Sequence, residues 1–132
     1  LKNLDDFTFS SYLNEIDLLA RFTAAGAPNV IRLIESEVNR ASGHLLILME
    51  FGETDLAKLL RERKEQREAG SVDIGESDNF ARFYFEQMVR AVRAVHDAKI
   101  VHCDLKPANF IVVQGTLKLI DFGISKAIAS DN

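Results

Sequence analysis

Within residues 10–24, Tyr12, Ile16, Leu19 and Ala20 recur at helical spacing, and either Ser10 or Ser11 can cap the helix they predict. Gly26-Ala27-Pro28 ends it. Residues 30–37 read as a strand and 38–43 as a turn. The apolar run 45–49 reads as a buried strand too short for a helix, and the two strands should form an antiparallel hairpin. After Glu50-Phe51-Gly52, a helix starts near Asp55 and continues through 61–68, where charges of both signs suit a solvated face. Residues 69–77 carry two glycines and few apolar side chains, the texture of a loop. Ser77 or Asp78 then caps a helix over 80–98, whose stripe of Tyr84, Met88, Ala91 and Val95, widened by Phe80 and Phe83, reads as core. Beyond Lys99 the pattern shortens: strands at 110–113 and 117–120 meet at Gln114-Gly115-Thr116.

Composition narrows the class without naming a function. The chain has 132 residues, 47% hydrophobic and 27% charged, which excludes a disordered tail, a collagen and a coiled coil. A domain of this length buries about 68% of its unfolded surface, so length alone permits one complete domain. The net charge of −4 and the lack of a basic block argue against nucleic acid as a partner. A single cysteine, Cys103, forms no internal disulfide, which fits a reducing, intracellular setting. No apolar run approaches membrane-spanning length, so no membrane is expected either. The chain does not begin with Met, which suggests a fragment or processed piece.

Candidate chemistry is concentrated in residues 102–123. Asn109 and Asp121 lie six residues either side of Gly115. A hairpin turning there brings its open ends to about 5 Å, so an amide oxygen and a carboxylate converge. Such a pair suits a hard cation such as Mg²⁺, which takes one or two protein ligands and fills its shell with phosphate and water. Asp104, on the same loop as Asn109, is placed to accept a proton from an incoming hydroxyl. Lys106 supplies positive charge for a transferring phosphoryl group.

His102-Cys103-Asp104-Leu105-Lys106-Pro107-Ala108-Asn109 followed by Asp121-Phe122-Gly123 resembles the catalytic loop and metal-binding turn of protein kinases. The resemblance implies an α+β, two-lobed kinase-like fold, incomplete here: residues 1–49 from the small lobe, 50–54 as hinge and 55–132 from the large lobe. It implies ATP and Mg²⁺ as cofactors, Asp104 as catalytic base, Lys106 as phosphate contact, and Asn109 and Asp121 as metal ligands. It further implies Glu15 as the carboxylate pairing with the ATP-binding lysine, Met49 as gatekeeper, and Glu50, Phe51 and Gly52 as backbone contacts to adenine. Ile111 would pack beneath adenine, and Leu19, Leu33, His102 and Phe122 would stack as a regulatory spine. Tyr12-Leu13-Asn14-Glu15-Ile16, Ala108-Asn109-Phe110 and Leu117-Lys118-Leu119-Ile120-Asp121 are most similar to the monopolar-spindle (TTK-type) dual-specificity kinases. That likeness implies phosphorylation of Ser, Thr and sometimes Tyr on protein substrates, in spindle-checkpoint signalling with kinetochore proteins in the nucleus.

The sequence also departs from the kinase pattern. Cys103 stands where most kinases carry Arg, so the cationic pocket for a phosphorylated activation loop lacks that charge; the thiol is expected to pack as a small apolar side chain. No Gly-rich phosphate loop is present, and Lys2 is a poor candidate for the ATP lysine. Ser125 and Ser130 are the only hydroxyls after Asp121-Phe122-Gly123. These departures lead to the expectation of a truncated kinase domain, inactive in isolation and poorly soluble, with Phe83 and Val95 facing partners outside the chain. A non-catalytic pseudokinase-like interaction module is the alternative. A small-molecule phosphotransferase of the aminoglycoside-kinase type is less compatible with Lys106-Pro107 and Phe122-Gly123.

Overall fold

A computed structural model describes residues 6–71 and 73–128, so Lys2 and Ser130 lie outside the described residues. In chain order the elements are α1 (Asp6–Ala24), β1 (Leu33–Asn39), β2 (His44–Met49), β3 (Thr54–Asp55), α2 (Leu56–Glu68) and α3 (Ile74–Asp97). There follow β4 (Ile100–Val101), a 3₁₀ turn (Pro107–Asn109), β5 (Phe110–Val113), β6 (Thr116–Leu119) and β7 (Lys126–Ala127).

Ser10 and Ser11 lie inside α1, not at its cap: helix already runs from Asp6, and the Ser11 hydroxyl is engaged outside the helix. The C-terminus of α1 closes as anticipated. Gly26 adopts φ 67°, the Gly26 N–H donates to the Thr23 carbonyl and the Ala27 N–H to that of Phe22, the paired bonds of a left-handed helix stop. β1 and β2 form the expected antiparallel hairpin, with an irregularity between Leu33 and Glu35. Its apolar run is not a buried strand, however: Leu46 is 65% exposed and Leu48 54%. The sheet has two strands and no second layer covers that face among the described residues, so apolar identity alone does not bury it.

α2 is capped by Asp55, whose carboxylate accepts the Lys58 N–H at 2.9 Å. α3 begins earlier than Phe80. Asp73 accepts the Glu76 N–H at 3.1 Å, which satisfies one of the first-turn donors and starts the helix at Ile74. Asp73 followed three residues later by Glu76 has the spacing of a capping box, and Gly75 between them disguises it. The stripe on α3 packs as predicted at Ala91 and Val95, with Tyr84 and Met88 partly buried. Val95 is 1% exposed, inside this chain's own core, which corrects its expected outward role; Phe83 does remain exposed.

One cluster of buried side chains joins these elements. Leu18, Leu19 and Phe22 of α1 meet Val30 and Ile31, Leu56, Ala91 and Val95, and the inner face of the β5–β6 hairpin at Val112, Leu117 and Leu119. The chain after α1 is stitched onto β6: the Leu119 N–H donates to the Asn29 carbonyl at 2.8 Å and the Ile31 N–H to the Leu119 carbonyl at 3.0 Å. Buried Asn29 and Gln87 complete the stitching, one donating to the Leu117 carbonyl at 2.8 Å and the other accepting the Leu117 N–H at 2.7 Å. Thus α1 and α3 are both fixed to the strand that leads into Asp121. Among the described residues no helix is long and apolar enough to cross a membrane.

Candidate active site

The β5–β6 hairpin sets the site. Its two-residue turn puts Gln114 at φ 49° and Gly115 at φ 80°, the left-handed pair that matches strand twist in a tight hairpin. Thr116 is therefore the first residue of β6, paired with Val113, and the register runs to Phe110 opposite Leu119. One step further, the Ile120 N–H donates to the Asn109 carbonyl at 2.8 Å. Asn109 thus faces Ile120, one residue short of the expected Asp121. Asp121 follows immediately at φ 61°, where the chain leaves the ladder.

Asn109 is buried, and its side-chain amide nitrogen donates both to the Asp104 carbonyl at 2.9 Å and to Asp104 Oδ2 at 3.1 Å. This leaves Asn109 Oδ1, the metal-competent atom, outside both bonds. Lys106 Nζ lies 3.5 Å from the same Asp104 oxygen, on a side chain half open to solvent. The loop is held from behind by His102. Its Nδ1 accepts the Asp104 N–H at 3.1 Å and its Nε2 lies 2.9 Å from the Ile120 carbonyl, so the ring proton belongs on Nε2 and the imidazole is neutral. One side chain therefore ties the loop carrying Asp104 to the strand carrying Asp121. Cys103 is exposed at φ 70°, with Sγ 3.4 Å from the Val101 carbonyl. The expectation that it packs as an apolar side chain is overturned, because the loop turns through a left-handed conformation there and throws the thiol outward.

Beyond Asp121, the Phe122 ring is fully buried between His102 and Phe22, with ring centroids 5.0 and 5.3 Å away. Leu19 is fully buried in the same core and Leu33 packs against it in part. Phe22 is a member of this stack that sequence reasoning missed, although it continues the buried face of α1. Ser125 is buried and donates to the His102 carbonyl at 3.3 Å, so it is not an accessible hydroxyl. Glu15 reaches the same turn: burial and then the nearby Asp121 carboxylate raise its pKa, while a hydrogen bond from the Phe122 backbone lowers it. Glu15, Asp121 and the Asp104–Asn109 pair thus border one region.

The connector after β2 is the second half of the site. Gly52 lies directly on Ile111: a Cβ at Gly52 would stand 2.7 Å from Ile111 Cδ1, so no larger residue fits without moving that side chain. Met49, paired with Leu33, is partly exposed at the end of β2. Phe51 is 84% exposed, so its ring contributes no wall, while its backbone groups have no hydrogen-bond partner among the described residues. The Glu50 N–H is already given to the Arg32 carbonyl at 3.2 Å. Its carboxylate accepts the Arg32 N–H at 2.8 Å and meets Lys118 Nζ at 2.6 Å, with the two side chains only 13% and 16% exposed. Sequence reasoning missed this Glu50–Lys118 pair, which fastens the connector to β6.

Among the described residues, no cluster of three His, Cys, Asp or Glu side chains could enclose a metal. The donor set instead fits Mg²⁺, which is held by one or two carboxylates or amides and otherwise by phosphate and water. Asp121, whose Oδ1 accepts the Gly123 N–H at 3.3 Å, offers one anionic carboxylate and Asn109 Oδ1 one neutral oxygen, while Glu15, its pKa raised first by burial and then by Asp121, stands beside them as a second carboxylate. Free backbone groups at Phe51 and the close Gly52–Ile111 packing likewise fit a flat heterocycle entering against the connector.

Comparison with known proteins shows the family of the chain. Residues 2–132 match the protein kinase domain family. The chain is 48% identical over 128 residues to a probable serine/threonine-protein kinase mps1 of Dictyostelium discoideum, covering 97% of this chain and 12% of that protein. It is 49% identical over 129 residues to the serine/threonine-protein kinase mph1 of Schizosaccharomyces pombe, covering 98% and 18%. The dual specificity protein kinase TTK of Mus musculus is 37% identical over 131 residues, covering 99% and 14%. The chain spans less than a fifth of the length of these relatives.

Proposed function

Because the chain belongs to the protein kinase domain family, we propose that the protein carrying it transfers the γ-phosphoryl of ATP to Ser or Thr hydroxyls of protein substrates, and to some Tyr. The observation that carries this reading is the pair of hydrogen bonds that the Asn109 amide nitrogen donates to the Asp104 carbonyl and carboxylate, at 2.9 and 3.1 Å, beside the hairpin end from which Asp121 projects. Asp104 takes the proton from the substrate hydroxyl as the new O–P bond forms and the bond from the γ-phosphorus to the β,γ-bridging oxygen breaks, with ADP as the leaving group. Lys106 offsets charge on the transferring group. Asn109 and Asp121 hold Mg²⁺, which when bound neutralises charge on the nucleotide phosphates. The connector backbone and Ile111 receive the adenine, and Glu15 is the carboxylate for the ATP-binding lysine.

We further propose, from the resemblance of Tyr12-Leu13-Asn14-Glu15-Ile16 and Ala108-Asn109-Phe110 to the monopolar-spindle kinases, a role in spindle-checkpoint signalling, with the protein acting inside the cell at kinetochores and on kinetochore proteins. Alone, the 132-residue chain is inactive on this reading. The test uses the full-length protein that contains it, with labelled ATP and a Ser/Thr peptide. Asp104→Asn should reduce turnover about 10²- to 10⁴-fold. Turnover unchanged by Asp104→Asn would overturn the proposal. For the checkpoint role, a tagged protein should concentrate at kinetochores in mitotic cells, and a diffuse signal throughout mitosis would remove it.

A further inference from the structure

A serine in the body of a helix commonly turns its hydroxyl back onto the carbonyl four residues earlier. Ser11 does not. Its Oγ donates to the Gly123 carbonyl at 2.5 Å, bridging 112 residues of sequence. Glu15 is one turn further along α1, on the same face, and meets the Phe122 backbone. Phe22, two turns beyond Glu15, stacks on the Phe122 ring at 5.3 Å. Three positions on one face of α1, Ser11, Glu15 and Phe22, therefore hold Gly123, the Phe122 backbone and the Phe122 ring in order.

These contacts are not equivalent. Glu15 brings a second negative charge beside Asp121, so its contribution to docking α1 against the turn is opposed by repulsion whenever no cation lies between them. The Phe22–Phe122 contact is apolar and fixes only the ring. Ser11 is the neutral, directional contact, and it acts on the carbonyl of the residue two beyond the metal-ligand position. We propose that Ser11 is a positioning residue: its hydroxyl latches α1 to the 121–123 turn and holds that turn, with Asp121, in the geometry used for phosphoryl transfer. The latch rests on the kinase reading for its purpose, but its existence as a physical restraint can be measured separately.

Wild type, Ser11→Ala and Ser11→Thr are compared in the full-length protein by amide hydrogen exchange and by phosphorylation at varied peptide concentration and saturating ATP. Loss of one neutral hydrogen bond should speed exchange at 122–125 about fivefold in Ser11→Ala. Exchange in β5 and β6 should be unchanged, kcat should fall, and KM for the peptide should stay constant. Ser11→Thr keeps the hydroxyl and should retain both wild-type properties. Unchanged exchange at 122–125 in Ser11→Ala overturns the latch, and so does a rise spread evenly over the hairpin, which marks general destabilisation. If exchange responds locally while wild type transfers no phosphate, the latch stands and the kinase reading falls.

Discussion

Glu15 shows how one side chain registers the state of the site. Burial first, and then Asp121, raise its pKa. The carboxylate is thus less favourable in the folded chain than in the unfolded one. The cost is absent below the ordinary carboxylate range, grows as pH rises through the raised value, and is fully present above it. Without Mg²⁺ or nucleotide, Glu15→Gln should melt at a higher temperature than wild type at pH 7, with the difference vanishing near about pH 4. A lower midpoint for Glu15→Gln at pH 7 would show that the charge is compensated by something else. Other residues illustrate what sequence does and does not reveal. The nearness of Asp104 and Asn109, and of both to the hairpin end before Asp121, was legible because a short spacing places them on one loop and one hairpin. Ser11 and Lys118 were not, since their partners lie 112 and 68 residues away and neither spacing nor residue type announces them. Cys103 was misread because a left-handed backbone at a residue other than Gly leaves no mark in composition.

Among the elements, the β5–β6 hairpin carries the most weight, since it joins the loop of Asp104 to Asp121 and receives both α1 and α3. Its apolar residues and a Gly at the turn made it readable; the first strand was bounded correctly and the second was off by one, because Thr116 already pairs with Val113 and the turn is Gln114-Gly115 alone. Gly115 sits at φ 80° with open space where a Cβ would go. Gly115→Ala should therefore cost only the backbone strain, about 1–2 kcal/mol in chemical denaturation of the chain; no measurable loss would show that the turn relaxes. Lys118→Met leaves the Glu50 carboxylate largely buried without its cation and should cost about 3 kcal/mol by the same method. A change within error would mean that the Arg32 N–H alone satisfies that carboxylate. The start of α3 and the burial of β2 were the weaker readings. A cap signal containing Gly75 was outvoted by local composition, and burial of an apolar strand depends on what lies over it.

On the scale of the whole chain, this α+β arrangement is part of the protein kinase fold, with a continuous core and apolar surfaces left open among the described residues. One surface is the outer face of β1 and β2. Another is a cavity of about 630 Å³ between α3 and the Asp104 loop, lined by Phe85, Val89, Leu105 and Pro107. Open apolar area on this scale drives association. The 132-residue chain should self-associate in light scattering, and Phe85→Glu with Val89→Lys should shift it toward monomer; a monomeric wild-type chain at high concentration would contradict this. The core was foreseeable from periodicity, whereas these open faces depend on partners that periodicity cannot name. The central claim is that Asn109 and Asp121 hold a nucleotide-bound divalent cation beside Asp104. Its most direct test is paramagnetic resonance of Mn²⁺ with a non-hydrolysable ATP analogue on the full-length protein. Wild type should immobilise Mn²⁺ only with nucleotide present, and Asp121→Asn should abolish the bound signal; an equal bound signal in Asp121→Asn would contradict the account.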